Sequence, residues 1–368
     1  MVVLTVNAGS SSLKLAAFTS DAKGLHVCGE AHFEADATDP IERLKAFMEK
    51  HAVAQPQLVA HRVVHGGARL TSSLRIDAAV EAEIERIAPL APLHNPLALT
   101  WIRACRSLLG VDVPQVAVFD TAFYAQLPAV ATTYALPQEL CARHGLRRYG
   151  FHGLAHQAMC RRWQALRPDI EEGGRVISFQ LGAGCSVTAS ERGVARDTSM
   201  GFSPLEGLVM ATRSGDVDAG LVTYLQRMEG MSAEETAQLL NHQSGLLGVS
   251  GLSGDMRKLL ATDDPRARLA VALYCYRARK YLGAYLAVLG GADAILFGGG
   301  VGENAAAVRA GILDGLEWAG IHLDAAVNLA TTGREGRISS ADSRIQAWVI
   351  PVDEAQILAQ EALAAIEV

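Results

Sequence analysis

The chain has 368 residues, half of them hydrophobic, which is more than one ordinary core accommodates and points to two domains. A net charge of −6, with no basic block and no aromatic-rich RNA motif, excludes a general nucleic-acid binder. The six cysteines lack any C-x-x-C pair, no apolar stretch is long and clean enough to span a membrane, and a first segment that goes straight into a strand predicts no signal peptide. A soluble, cytoplasmic protein without membrane contacts, disulfides or a zinc site is expected.

In chain order, the apolar runs Val2–Val6 and Leu13–Phe18 flank a turn that carries Asn7, Gly9, Ser10, Ser11, Ser12 and Lys14. This predicts a β-hairpin whose backbone N–H groups, hydroxyls and lysine cradle an anion, with Asn7 placed to orient a hydrated metal ion. The P-loop spacing is absent, and taken alone the stretch also fits an ordinary hairpin with a hydrophilic tip. Ser20 to Pro40 is weakly patterned and predicts a loop-rich excursion. Leu58–Val64 predicts a strand with Arg62 inside it, followed by His65-Gly66-Gly67. An arginine there is costly unless it meets a carboxylate or a phosphate, and a structural ion pair fits nearly as well. Val116–Phe119 predicts a strand that sets Asp120 at its end, where α/β proteins place reactive groups, although a turn-capping role is the plainer alternative. In Arg148–His156, His152 and His156 stand four residues apart; without H-E-x-x-H spacing a metal site is discounted.

The hairpin pattern then recurs. Val176–Leu181 and Ser186–Ala189 flank a small turn in which Gly182, Gly184 and Ser186 take the parts of Gly9, Ser10 and Ser12. Arg213 lies in a polar loop within Asp197–Asp218. Arg266–Leu289 predicts a helix with Leu269, Leu273, Tyr276, Leu282, Leu286 and Leu289 on its apolar face, ended by Gly290-Gly291. Ala294–Phe297 runs into Gly298, Gly299, Gly300 and Gly302, which lack the dinucleotide G-x-G-x-x-G spacing. Beyond the Ala347–Val352 strand, Asp353 and Glu354 offer carboxylates for Mg²⁺, or equally the acidic first turn of a last helix.

Two hairpin phosphate loops and a late glycine-rich strand end resemble the actin, sugar kinase and Hsp70 ATPase superfamily. That resemblance implies an α/β fold of two duplicated ribonuclease H-like domains with a nucleotide cleft between them. The expected domains are residues 1–121 plus 356–368, and 122–355, the second bearing nucleotide and dimer contacts. More specifically, N-A-G-S-S-S-L-K, H-R-V-V-H-G-G, A-P-L-H-N-P, F-D-T-A-F, R-R-Y-G-F-H-G, D-T-S-M-G-F-S-P-L-E-G-L-V-M-A-T-R-S-G-D, G-V-G-E-N and the P-x-D-E end occur in this order. Over essentially its whole length the chain resembles the acetokinase family.

The resemblance implies reversible transfer of the ATP γ-phosphoryl to acetate, giving acetyl phosphate and ADP, with Mg²⁺ or Mn²⁺, in a homodimer. By the same resemblance, Arg62 and Arg213 clamp the carboxylate and the phosphoryl, His152 hydrogen-bonds the phosphoryl, and Asp120 is the active-site acid that holds an arginine or metal-bound water. Asn7 and Glu354 position the metal. Val64, Leu93, Phe151 and Pro204 form the acyl pocket. ATP or ADP meets Ser10, Ser12 and Lys14, then Gln180, Leu181, Gly182, Ala183 and Gly184. It also meets Asp255, Met256 and Arg257, and finally Gly300, Val301, Gly302, Glu303 and Asn304. The chain departs from the family pattern at Gln180 (usually His), Ala183 (usually Asn), Tyr124, Leu154-Ala155 and Gly298, and is shorter between Phe18 and Leu58. These departures touch the nucleotide side. They leave two alternatives: a kinase for propionate or another short acid, and a nucleotide-binding paralogue of weak activity.

Overall fold

A computed structural model of the chain describes residues 1–9, 12–34 and 38–366. Contacts divide it into two compact units, 1–125 with 353–368, and 126–352. The first unit is built on a six-stranded sheet of β1 (Val2–Ala8), β2 (Ser12–Asp21), β3 (Gly24–Glu34), β4 (Leu58–Val63), β5 (Leu74–Arg75) and β6 (Gln115–Phe119), in the order β3-β2-β1-β4-β6-β5. The second uses β7 (Arg175–Leu181), β8 (Cys185–Glu191), β9 (Val194–Thr198), β10 (Ala294–Gly298), β11 (Gly336–Arg337) and β12 (Gln346–Val349), in the order β11-β12-β10-β7-β8-β9. Read from the opposite edge, the two orders are the same. Each sheet has an antiparallel meander of three strands, two parallel strands beside it, and a two-residue antiparallel edge.

The central strands are near-continuous apolar runs because helices cover both faces of each sheet. In the first unit the helices Pro40–Lys50 and Asn95–Leu109 bury Leu44, Phe47, Trp101 and Cys105 against Leu4, Val6, Leu15 and Val59. Burial of Leu44 and Phe47 alone contributes about 1.5–3 kcal/mol each. Asp39 caps the first of these helices by accepting from Ile41 N and Glu42 N, with Pro40 at the first helical position. The other face of the sheet takes the helix Glu354–Ile366 at the far end of the chain, which packs on β1, β4, β5 and β6. Asp353, Glu354 and Ala355 therefore belong with the first unit, whereas a boundary after residue 355 would put them in the second. In the second unit the helix Pro265–Leu289 lies on β7, β8 and β9, and Gly153–Leu166 lies on β7 and β10. Phe179 and Phe297 stack at 5.3 Å within that sheet.

Two sequence expectations change here. Over its described residues Ser20 to Pro40 is no loop-rich excursion: β2 extends to Asp21, turns through Ala22 and Lys23, and returns as β3 from Gly24 (φ 120°). β3 is an edge strand with one exposed face, so polar residues fill it and its apolar signal is weak. The long helix buries the expected face only in its second half. Leu282 and Leu286 are buried as expected, whereas in the first half Leu269 and Tyr276 are exposed and Ala267, Ala270, Tyr274 and Ala278 are buried, the small alanines permitting close packing there. Among the described residues all six cysteines are free, and no helix is long and apolar enough to cross a membrane.

Candidate active site

In the first unit β1, β4 and β6 run parallel, so their C-terminal ends share one end of the sheet. Asn7, Arg62 and Asp120 meet there, joined by Glu354 from the first turn of the last helix. Arg62 Nε and Nη2 donate to Asp120 Oδ1 and Oδ2 at 3.0 and 2.6 Å, and Nη1 donates to Asn7 Oδ1 at 3.0 Å. Asn7 Nδ2 donates to Glu354 Oε2 at 2.6 Å, and that carboxylate lies 3.9 Å from Arg62 Nη1. Asp120 is 1% exposed, so the bidentate pair neutralises a carboxylate that would otherwise be buried at great cost. Burial opposes the Arg62 charge, but Asp120 and Glu354 outweigh it and hold its pKa above the ordinary value. Three hydrogen bonds leave two of the five guanidinium N–H groups uncommitted. Asp120 thus orients an arginine, and the arginine retains donors.

The Asn7 amide oxygen and the Glu354 carboxylate are hard oxygen donors, and no group of three His, Cys, Asp or Glu suited to a metal occurs among the described residues. A site with so few protein donors suits Mg²⁺, which keeps most of its waters and takes further ligands from phosphates. The first hairpin closes tightly, Gly9 N donating to Ser12 O at 2.8 Å. Lys14 is exposed opposite Asn7, and Ser12 is half-buried; Ser10 and Ser11 lie outside the described residues.

In the second unit the β7–β8 hairpin turns through Gly182, Ala183 and Gly184. Arg213 sits in a loop without regular structure, which backbone bonds hold in place: Ala211 N donates to Ala183 O (3.1 Å), and Ser244 N to Thr212 O (2.9 Å). Asp216 accepts from Gly207 N (2.8 Å) and Tyr281 Oη (2.7 Å), and Glu206 accepts from Arg148 Nη2 and Tyr134 Oη, both at 2.5 Å. Arg213 Nη1 donates to Pro204 O at 2.9 Å. Among the described residues Arg213 has no carboxylate partner, and burial lowers its pKa. A side chain added at Gly184 would lie 3.2 Å from His152 Nε2 and 3.6 Å from Arg213 Nη2. A glycine turn, an imidazole and an unpaired guanidinium therefore converge. His152 itself occupies the left-handed region (φ 58°) just before the helix Gly153–Leu166, a conformation rare outside glycine.

A pocket of about 820 Å³ opens beside this turn. Gly182, Ala183, Asp255, Met256, Arg257, Gly300, Val301 and Asn304 line it, joined by Ala211, Gly254, Leu260 and Ala305, which motif reading had not singled out. Gln180, Leu181, Gly184, Gly302 and Glu303 do not line it. The Glu303 carboxylate turns inward and accepts from Gly299 N (3.0 Å) and Val352 N (3.2 Å). Gln180 Oε1 is buried without a hydrogen-bond partner, and its Nε2 packs against Gly299. Arg257 is largely exposed and pairs with Asp255, which N-caps a short helix and is held at about 2 by Arg257.

Ser186 and the expected acyl-contact residues are placed as follows. Ser186 is fully buried between His152 and His156 and offers no hydroxyl to the hairpin tip. Leu93 is 57% exposed in the first unit, where Val64 is buried; Phe151 and Pro204 belong to the second unit, buried and half-buried respectively.

The chain matches the profile of the Acetokinase family over residues 26–360. It is 43% identical to the acetate kinase of Solibacter usitatus, with 100% of this chain and 98% of that one covered. It is 49% identical to the acetate kinase of Chloroherpeton thalassium, with coverage of 87% and 77%. The crystal structure of Porphyromonas gingivalis acetate kinase superposes with a TM-score of 0.91 at 36% identity, over 99% of both chains. A propionate kinase from Francisella tularensis gives 0.90 at 34%, again over 99% of both. Profile, whole-length relatives and two-domain α/β architecture agree, and the chain belongs to the acetokinase family.

Proposed function

We propose that this protein is an acetate kinase, which transfers the ATP γ-phosphoryl reversibly to acetate to give acetyl phosphate and ADP. The observation that carries the mechanism is Arg213, a guanidinium without a carboxylate partner, turned to the glycine turn and His152. An anion in reach would offset the burial of such a charge.

Phosphoryl transfer asks for positioning and charge neutralisation rather than covalent chemistry. An acetate oxygen forms the new bond to phosphorus as the bond to the β-phosphate oxygen breaks, and ADP leaves with the electron pair. Acetate is already ionised at working pH, so no proton need be removed. Arg213 and His152 would meet the charge on the transferring group, and Arg62, oriented by Asp120, would hold the acyl carboxylate. Asn7 and Glu354 would hold Mg²⁺, which when bound neutralises phosphate oxygens. The 820 Å³ pocket would take the nucleoside, with the Gly182–Gly184 backbone and Ser10, Ser12 and Lys14 on the phosphates. Val64, Leu93, Phe151 and Pro204 would contact the acyl chain. A pocket discriminates one methylene by only about 1–3 kcal/mol, so measurable propionate turnover is expected beside acetate.

We also propose a homodimer formed through the second unit. The helix Ala219–Met228 has no buried residue, and it exposes Leu221, Tyr224 and Met228 along one stripe. Sedimentation of a monomer at micromolar concentration would remove this assignment.

The test is steady-state turnover with ATP, Mg²⁺ and acetate, trapping acetyl phosphate with hydroxylamine, beside propionate and with pyrophosphate as alternative donor. Turnover with ATP and a preference for acetate supports the reading. Nucleotide binding without trapped product would mean a weak paralogue, and turnover with pyrophosphate alone would mean a redirected donor site.

A further inference from the structure

His152 and His156 are one helical turn apart at the start of Gly153–Leu166, so both rings face the β7–β8 hairpin. His152 Nδ1 lies 3.0 Å from Ser186 Oγ. The same oxygen lies 2.8 Å from His156 Nε2, and His156 Nδ1 lies 2.7 Å from Ser178 Oγ. Ser178, Ser186 and His156 are all 0% exposed, so no water competes for these contacts. Four side chains thus form one line, Ser178, His156, Ser186, His152, and its end nitrogen, His152 Nε2, lies at Gly184 beside Arg213.

The proton count on this line has few solutions. Ser186 has one hydroxyl proton and touches two ring nitrogens, so it donates to one and must accept an N–H from the other. His156 is neutral, because burial drives its pKa well below the ordinary value and the neighbouring His152 adds to this. A neutral ring carries one proton. If that proton is on Nε2, it donates to Ser186, Nδ1 accepts from Ser178, and Ser186 donates to His152 Nδ1. Neutral His152 then carries its proton on Nε2. The reverse order would leave neutral His152 with a bare Nε2 lone pair facing the anion site, where it would repel a phosphoryl oxygen. A protonated ring would stand beside the Arg213 cation. Both orders keep every contact of the line, and only the first points a donor outward.

We propose that Ser178, His156 and Ser186 are positioning residues that form a one-way hydrogen-bond chain and fix His152 as the tautomer with its proton on Nε2. This rests on the reading that His152 donates to the transferring phosphoryl. The chain accounts for the paired histidines without a metal: the second orients the first through a serine. It also gives Ser186 a role other than that of a phosphate-loop hydroxyl.

The test uses full-length protein labelled with ¹⁵N at histidine and long-range ¹H–¹⁵N spectra near neutral pH, with the His152 signals assigned by their loss in His152→Gln. The expected result is a protonated Nε2 and an unprotonated Nδ1 on both His152 and His156. A proton on His152 Nδ1, or on both nitrogens, overturns the proposal and needs no altered chain to do so. Ser186→Ala should lower kcat about tenfold with both KM values within about twofold, as for a hydrogen bond used in the transition state. It should also abolish the tautomer preference of His152. Ser178→Ala, a milder change, should lower kcat less and let His156 populate both tautomers; it carries the test if Ser186→Ala does not fold. Unchanged kcat and spectra in these variants reject the chain. His152→Ala separates the two levels: if it keeps full activity, the phosphoryl reading of His152 fails. If it loses activity while Ser186→Ala does not, only the chain fails.

Discussion

Acid should weaken the first unit well before its carboxylates titrate. His61 and His65 flank Arg62 and are 1% and 0% exposed. His61 Nε2 bonds Gln115 Oε1 at 2.7 Å while its Nδ1 is buried without a partner, so a second proton would face no acceptor. His65 Nδ1 accepts from Gly67 N at 2.8 Å, a bond that protonation would break. Burial holds both rings down to about 4, against 6.5 for an exposed histidine. Because the folded value lies below the unfolded one, their stability contribution is complete above pH 6.5 and is lost as pH falls towards 4. Between pH 7 and pH 5 the loss is about 2 kcal/mol for each ring, or roughly 4 kcal/mol for the pair. His156 adds to the loss with the same sign. Carboxylates such as Asp255 and Asp264, held at about 2 by arginine partners, give up their share only below about pH 4 and leave this window clear. Urea titrations at pH 5, 6 and 7 measure the effect, and His61→Gln, which keeps a donor for Gln115, should remove about half of the first unit's pH dependence. An identical midpoint at pH 5 and 7, or the same pH dependence in the variant, would refute the reasoning.

Arg213→Ala should cost roughly 10³-fold in kcat, and a loss below tenfold would remove Arg213 from the mechanism; Arg213→Lys should recover little, because one ammonium cannot reproduce the planar fork, and near-wild-type kcat there would mean that charge alone suffices. Glu354→Gln should raise the Mg²⁺ concentration for half-maximal rate by about tenfold, and an unchanged Mg²⁺ titration would exclude Glu354 as a ligand. Gly299→Ala places a Cβ 2.6 Å from Leu181 O and 2.9 Å from Gln180 Nε2 at φ +75°, so it should destabilise by about 1–3 kcal/mol and raise the KM for ATP; wild-type values in both would contradict the close approach. Val64→Ala should shift the acetate-to-propionate ratio of kcat/KM towards propionate by about tenfold or more, whereas an unchanged ratio would mean that Val64 does not contact the acyl chain.

The hairpins, the parallel strands and the charged residues at their ends are visible in the sequence because each depends on local alternation or on an isolated charge in an apolar run. Arg62 and Asp120 stand out for that reason. Their mutual bidentate bond does not, since it joins strands 58 residues apart in sequence. β3 is not legible because an edge strand with one wet face resembles a polar loop. On Pro265–Leu289 the leucine pattern holds in the second half, where Leu282 and Leu286 are buried; in the first half alanines, whose small volume permits contact, face inward beside Tyr274, and Leu269 and Tyr276 stay outside. Ser186 looked like a phosphate ligand by analogy with Ser12, yet alternation along β8 turns it inward to two histidines.

The duplicated sheets explain why the site residues come in two chemically different sets. In both halves the ends of three parallel strands and the tip of the first hairpin fall at the same end of the sheet, where α/β folds place ligands. In the first half those places hold Asn7, Arg62 and Asp120, polar side chains that bond one another and hold the cluster rigid. In the second half the ends of the two central strands hold Gln180 and Gly298, with Gly182–Gly184 at the hairpin tip and Gly299–Gly300 just beyond β10. There glycine brings bare backbone close, and at Gly299 any side chain would strike Leu181 O. A repeated backbone thus presents oriented charges in one half, and N–H groups and space in the other. The substitutions at Gln180 and Ala183 fall on the backbone-dependent side. There the Ala183 carbonyl still anchors the Arg213 loop through Ala211 N, so the loss of a polar side chain leaves that anchor in place.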